Sequence, residues 1–150
     1  MNLSGLCTTL TVAVLSAALA RLSWATIDNT GSINPSDPAS WTTNTIGVIG
    51  YSGDGAITVT EGSQLLSYSG VLGNVSGATG TVTIDGPGSS WNNQYALQVG
   101  GIGNGKLNIT NGSVVTSTDT QVGFTTTGQG LINFGVNGGI IQYDGINWQQ

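Results

Sequence analysis

Apolar and polar residues alternate with a period of two in four short stretches of this chain, AITVTEG, TVTIDGPG, KLNITNG and LINFGVNG. A glycine stands at the head of each, and those glycines, Gly55, Gly80, Gly105 and Gly130, are spaced 25 residues apart. In every copy the second and fourth residues after the glycine are apolar: Ile57 and Val59, Val82 and Ile84, Leu107 and Ile109, Ile132 and Phe134. The residue between them is Thr58, Thr83, Asn108 or Asn133. Such alternation predicts half-buried β-strands, and its return at a fixed short interval predicts a repeat architecture. A 25-residue period filled with Gly, Thr, Ser, Asn and Val is too poor in helix formers for paired helices, so the expectation is an all-β solenoid.

Each period divides further. After the first run comes a Gly-rich corner (EGS, GPG, NGS, NGG), then a second run (QLLSY, SSWNN, VVTST, IIQY), a polar corner, and a third run (GVLG, YALQVG, TQVGF, GINW). Three short strands per coil predict a parallel β-helix of four to five coils over residues 26–150. Parallel stacking sets equivalent residues about 4.8 Å apart. Two columns, Ile57–Val82–Leu107–Ile132 and Val59–Ile84–Ile109–Phe134, are therefore expected to face inward. The 25 glycines are expected to serve tight corners with positive φ.

A longer period overlies the first. Trp41 and Trp91 are 50 residues apart, as are Gly50/Gly100, Gly62/Gly112, Ser63/Ser113, Ser67/Ser117 and Gly73/Gly123. The double coil, clearest in Gly80-Thr81-Val82-Thr83-Ile84, Gly86 to Trp91, Val99-Gly100, Gly103, Gly105, Leu107, Ile109 and Asn111-Gly112-Ser113, resembles a known repeat. It is the one shared by autotransporter (type V secretion) passenger domains and by exported bacterial proteins with a PEP-CTERM sorting signal. The resemblance spans roughly residues 26–150 and implies an extracellular β-helical stalk or surface protein without family-wide catalytic residues. Members end in a Val-Pro-Glu-Pro-type motif with a membrane segment and basic tail, or in an outer-membrane barrel. This chain reaches Gln150 partway through a coil with neither, and the expectation is a fragment of a longer reading frame.

The first 25 residues follow a different pattern. An apolar run from Leu6 to Ala20, too short to span a bilayer, is followed by small residues that suit cleavage after Ala25 or after Ala20. A signal helix is expected at residues 1–25, although no Lys or Arg precedes the apolar run. Cys7 lies within it, and the preceding Ser4-Gly5-Leu6 matches no lipoprotein box, so Cys7 is expected to be discarded.

Without that segment the chain keeps one cation, Lys106, against seven carboxylates (Asp28, Asp37, Asp54, Glu61, Asp85, Asp119, Asp144), a net charge of −6. Phosphate backbones and anionic membrane surfaces need basic residues to neutralise them. Neither nucleic acid nor membrane is an expected partner. No Cys or His remains, so disulfides, the usual zinc, haem and iron–sulfur sites, and hydrolase triads lack their parts. No cofactor is expected.

Carboxylates alone could perform acid–base chemistry, which keeps a polysaccharide lyase or hydrolase as the alternative function. Glu61 and Asp85, at a corner of neighbouring coils, are the pair that could approach each other; as solvated turn residues they fit the same positions without chemistry. Asp119 and Asp144 are 25 apart and would share a column, where calcium could bridge them or both could splay into water. Trp41 and Trp91, beside Thr42-Thr43 and Asn92-Asn93, could stack on sugars, although a Trp in every second coil suits corner packing better. The outward Thr58, Thr83, Asn108, Asn133 ladder is too irregular for an ice-binding face. Asn74, Asn108 and Asn111 are glycosylation sequons only in a eukaryotic secretory route.

Together these features predict an extracellular structural or adhesive protein of a bacterial surface, with no catalytic residues and with matrix or polysaccharide as its partner. The apolar final coil around Ile140, Ile141 and Ile146 is expected to promote end-to-end self-association.

Overall fold

The computed structural model describes residues 25–148, with side-chain surroundings through Gln142. The expected signal helix, with Cys7 and the Ala20 cleavage point, lies outside the described residues. Strands β1 (Thr26–Gly31) and β2 (Ile33–Asn34) come first, then a 3-10 turn at Pro38–Ser40 and β3 (Ile46–Ile49). Two coils of three strands follow. The first holds β4 (Gly55–Thr60), β5 (Gln64–Ser67) and β6 (Ser69–Leu72), and the second holds β7 (Thr79–Asp85), β8 (Ser90–Asn93) and β9 (Ala96–Val99). In the third coil β10 (Asn104–Thr110) leads into β11 (Val114–Val122), a strand long enough to serve two faces. β12 (Gln129–Phe134) and β13 (Ile140–Trp148) repeat that arrangement in the fourth.

The chain is a β-solenoid of about four turns. Its first face is the parallel stack β4-β7-β10-β12, with Gly55, Gly80, Gly105 and Gly130 in one register column. The second face stacks β5, β8 and the first half of β11, and the third stacks β3, β6, β9 and the second half of β11. β13 pairs along the whole of β11. Inside lies one apolar core, in which Ile57, Val82 and Leu107 form one column and Val59, Ile84 and Ile109 another, all buried. The expected columns hold as far as the third coil. Phe134 keeps its place opposite Ile109 but is 46% exposed, because no described strand lies beyond β12 to cover it.

Two further expectations need correction. Residues 26–34 are not part of the parallel coil: β1 pairs β4 antiparallel, Thr26 opposite Thr60, and β2 pairs β3 antiparallel. The chain thus doubles back and covers the bottom edge of the first face, the edge that would otherwise present unpaired backbone groups. The glycines do not all serve positive φ either. Eleven of those described do, whereas the 25-residue column lies within strands and is glycine for lack of space. A Cβ on Gly80 would run into the Ile49 carbonyl, and one on Gly105 into the Gly100 amide. The partner column, Gly73 and Gly100 among it, makes the third corner in the left-handed region, at φ 72° and 83°.

The 50-residue period has a structural cause. Leu65 pairs with Trp91 and Trp91 with Val115, steps of 26 and 24, while Leu72 pairs with Val99 and Val99 with Val122, steps of 27 and 23. The second coil thus carries an extra residue at each of its first two corners. The third corner returns both, since Val99 to Asn104 is two residues shorter than Leu72 to Thr79. First and third coils share one layout, and the second has another.

Replacing Ile84 by Asp places an unpaired charge in a sealed column and is expected to cost about 3 kcal/mol or more. Thr83→Asp points outward and still accepts the hydrogen bond from Asn108 Nδ2 (3.0 Å), so a loss within about 1 kcal/mol is expected. Denaturant melts of the two variants check this; equal losses would contradict the assigned faces.

Candidate functional site

The second corner, where the second face turns into the third, brings together polar side chains of neighbouring coils. Its floor is built on Trp91, which is fully buried because Gly70 of the coil below leaves room for its ring; a Cβ there would run into it. The indole Nε1–H donates to Ser67 Oγ (3.0 Å), and Ser67 donates to Asn93 Oδ1 (2.5 Å). Asn93 is 2% exposed, and its Nδ2 finds no hydrogen-bond partner. An unsatisfied buried amide of this kind costs about 1–3 kcal/mol. The core-facing positions in register with it hold serines, Ser67 below and Ser117 above, and Ser117 is paired with Thr120 (2.6 Å).

Above that floor lies a groove of about 590 Å³. Asn92, Gln94, Thr116 and Thr118 form its walls with Asn93 and Ser117 beneath, and Ile141 and Gln142 bound it toward the C-terminal end. The walls are pre-set by contacts between coils: Thr116 Oγ1 donates to Asn92 Oδ1 (3.1 Å), and Thr118 Oγ1 donates to the Gln94 carbonyl (3.0 Å). Beside it the backbone stacks Tyr68, Tyr95 and Thr118 in register, with Tyr95 N donating to the Tyr68 carbonyl and Thr118 N to that of Tyr95. The two tyrosine rings stack at 5.6 Å with 20° between planes, and both stay substantially exposed, 41% and 52%. The described side chains of this corner therefore offer hydrogen bonds from amides and hydroxyls and an aromatic surface.

The residues proposed from sequence play other parts than those expected. Trp41 is 5% exposed and Trp91 fully buried, so neither can present a ring face to a sugar. Trp41 packs where Gly47 leaves space and donates from Nε1 to the Pro35 carbonyl (3.1 Å). Both are packing residues. Asp119 does not share a column with Asp144: the register sets Asp119 opposite Gly145, because the fourth coil is one residue longer before β13. Asp119 Oδ2 accepts from Gln121 Nε2 (2.7 Å); the side chain of Asp144 lies outside the described surroundings. Asp85 Oδ1 accepts from Thr110 Oγ1 (2.5 Å) and Asn111 Nδ2 (2.6 Å), both on the third coil, whereas Glu61 is an exposed turn residue at φ 55° in the first. Asp85 is thus committed away from Glu61. Asp54 likewise caps the Thr79 amide (2.7 Å). Among the described residues no three acidic, His or Cys side chains gather around one point.

Sequence reasoning noticed Asn92-Asn93 but attached them to the wrong aromatic, and it missed the Tyr68–Tyr95 stack. Those tyrosines are 27 residues apart, a spacing invisible to a search at 25 or 50. Comparisons with family models, with curated proteins and with solved structures each return no match.

Ser67→Ala would leave both the Trp91 indole N–H and the Asn93 carbonyl without a partner, for an expected loss of about 2–4 kcal/mol. Thr118→Ala, on the exposed wall, is expected to cost under about 1 kcal/mol. Guanidinium unfolding followed by tryptophan fluorescence measures both, and a near-neutral Ser67→Ala would remove the floor network as a source of stability.

Proposed function

We propose that this chain is an exported bacterial surface protein whose solenoid serves as a structural or adhesive stalk or matrix component. The observation that carries the reading is the use of polar groups along the coils. The outward column Thr58–Thr83–Asn108–Asn133 is of neutral hydroxyls and amides, joined from coil to coil by Asn108 to Thr83 and Asn133 to Asn108, and the carboxylates of Asp54, Asp85 and Asp119 hold neighbouring amides and hydroxyls. Such a ladder pairs its strand backbone between coils and extends by repetition, which gives reach and resistance to unfolding without a large globular core. The Leu6–Ala20 apolar run with small residues after it supports export, and the double-coil repeat resembling autotransporter and PEP-CTERM-associated proteins supports the surface setting.

Expression of the full chain in a bacterium with an intact export system, followed by fractionation and mass spectrometry, tests the reading. The expected product lies outside the cytoplasm and begins after Ala25 or after Ala20; a cytoplasmic product that retains Cys7 would refute export. A polysaccharide lyase or hydrolase is the competing function, and turnover of a polysaccharide panel that disappears in Glu61→Gln with Asp85→Asn would establish it instead.

A further inference from the structure

We propose that Tyr68 and Tyr95 form an oxidative cross-linking site, at which a carbon–carbon bond between the two rings ties the first coil to the second. The inference goes beyond the surface-protein reading and does not rest on it. Among the described residues these rings make the close aromatic pair, with centroids 5.6 Å apart and 20° between planes. The backbone holds them as neighbours: Tyr95 N donates to the Tyr68 carbonyl (2.7 Å), and Tyr68 N donates to the Thr45 carbonyl (2.7 Å). Groups held side by side in this way react as parts of one molecule, at an effective concentration far above that of free phenols.

The core does not require this pair. The same column carries Thr45 below and Thr118 above, so the corner accepts a small polar residue in other coils. Both rings are substantially exposed, 41% and 52%, and an oxidant can reach either. Threonine cannot take up the electron deficit of an oxidised phenol, so along this column each ring has only the other as its aromatic partner. Trp91 is fully buried beneath the corner with its N–H bonded to Ser67, out of reach of the oxidant. Thiols and thioethers are oxidised readily, but the one Cys and the one Met of the chain, Cys7 and Met1, precede the described residues.

The oxidant is hydrogen peroxide acting through a haem peroxidase. Each phenol gives up one electron and its hydroxyl proton, and the two electrons and two protons reduce one peroxide to two waters. The unpaired spin of each radical lies partly on the ring carbons beside the C–O bond. Two such carbons join, and the hydrogen on each moves to its own oxygen, which restores both aromatic rings and both hydroxyls. The product is the chain less two hydrogens, closed into a loop between residues 27 apart. Closing a loop of this kind restricts the unfolded chain, and among the described residues there is no Cys to do the same through a disulfide.

The test treats the purified full chain, kept dilute, with haem peroxidase and hydrogen peroxide, then denatures it, cleaves it before aspartates and maps the fragments by mass spectrometry. Cuts before Asp54, Asp85 and Asp119 place Tyr68 in residues 54–84 and Tyr95 in residues 85–118. The expected product is a monomer lighter by two hydrogens in which those two fragments are joined, and which melts about 5–10 °C higher than the untreated chain. Tyr68→Phe keeps a ring at the surface without a phenolic hydrogen to lose, and is expected to abolish the joined fragments. Tyr51→Phe and Tyr143→Phe are expected to leave them. The proposal is overturned if the monomer stays uncoupled while free N-acetyltyrosine in the same mixture couples, if the bond forms only between chains, or if it joins Tyr51 or Tyr143 in place of the pair. A bridged monomer that melts no higher than the untreated chain would overturn the tie between coils. Failure of export leaves this experiment untouched, and failure of coupling leaves the export result standing.

Discussion

At the third corner each coil is pressed against the backbone of its neighbour so closely that a single methyl group would not fit, and the rest of the solenoid depends on that contact. Gly73 and Gly100 turn the chain there, and Gly80 and Gly105 receive the corner from the opposite side, where carbonyls and amides occupy the space a Cβ would take. Because both partners must be glycine, the first face cannot slip by a residue without a backbone clash. The inward columns of Ile, Val and Leu follow from that fixed register, since a shift of one would turn every apolar side chain outward. Local steric exclusion and the hydrophobic core thus specify the same alignment.

With the first face held, length can vary only at the corners. The second coil takes one residue more at its first corner, one more at its second, and gives both back at the third. At the second corner the consequences meet: the floor changes from serine to Asn93, Trp91 lies over Gly70, and Tyr95 is brought against Tyr68. From that lengthened corner upward, hydroxyls and amides of adjacent coils line one opening.

The acidic charge of the chain has a structural use as well. Asp54 and Asp85 hold donors of the following coil, across 25 to 26 residues of sequence, and so fasten corners rather than face one another. A carboxylate that accepts two neutral hydrogen bonds is fixed in place, and fixing it toward the next coil removes it from any pairing across the previous one. Asp85 illustrates this, being near Glu61 in register yet bound to Thr110 and Asn111 of the coil above.

What the sequence determined by itself was whatever repeats at constant spacing. The strand alternation, the fold and the buried Ile57, Val82, Leu107 column were all legible, because strand period and a 25-residue coil are local and regular properties. Tertiary structure alone decided what depends on the neighbouring coil. The antiparallel β1 that closes the lower edge, the burial of Trp41 and Trp91 over Gly47 and Gly70, the displacement of Asp119 from Asp144 and the unpaired amide of Asn93 belong to this group. Their contacts span steps that range from 23 to 27 residues on the second and third faces. No single period predicts such steps, because each corner takes the length its own packing allows and only the sum around the coil is held constant by the glycine contact.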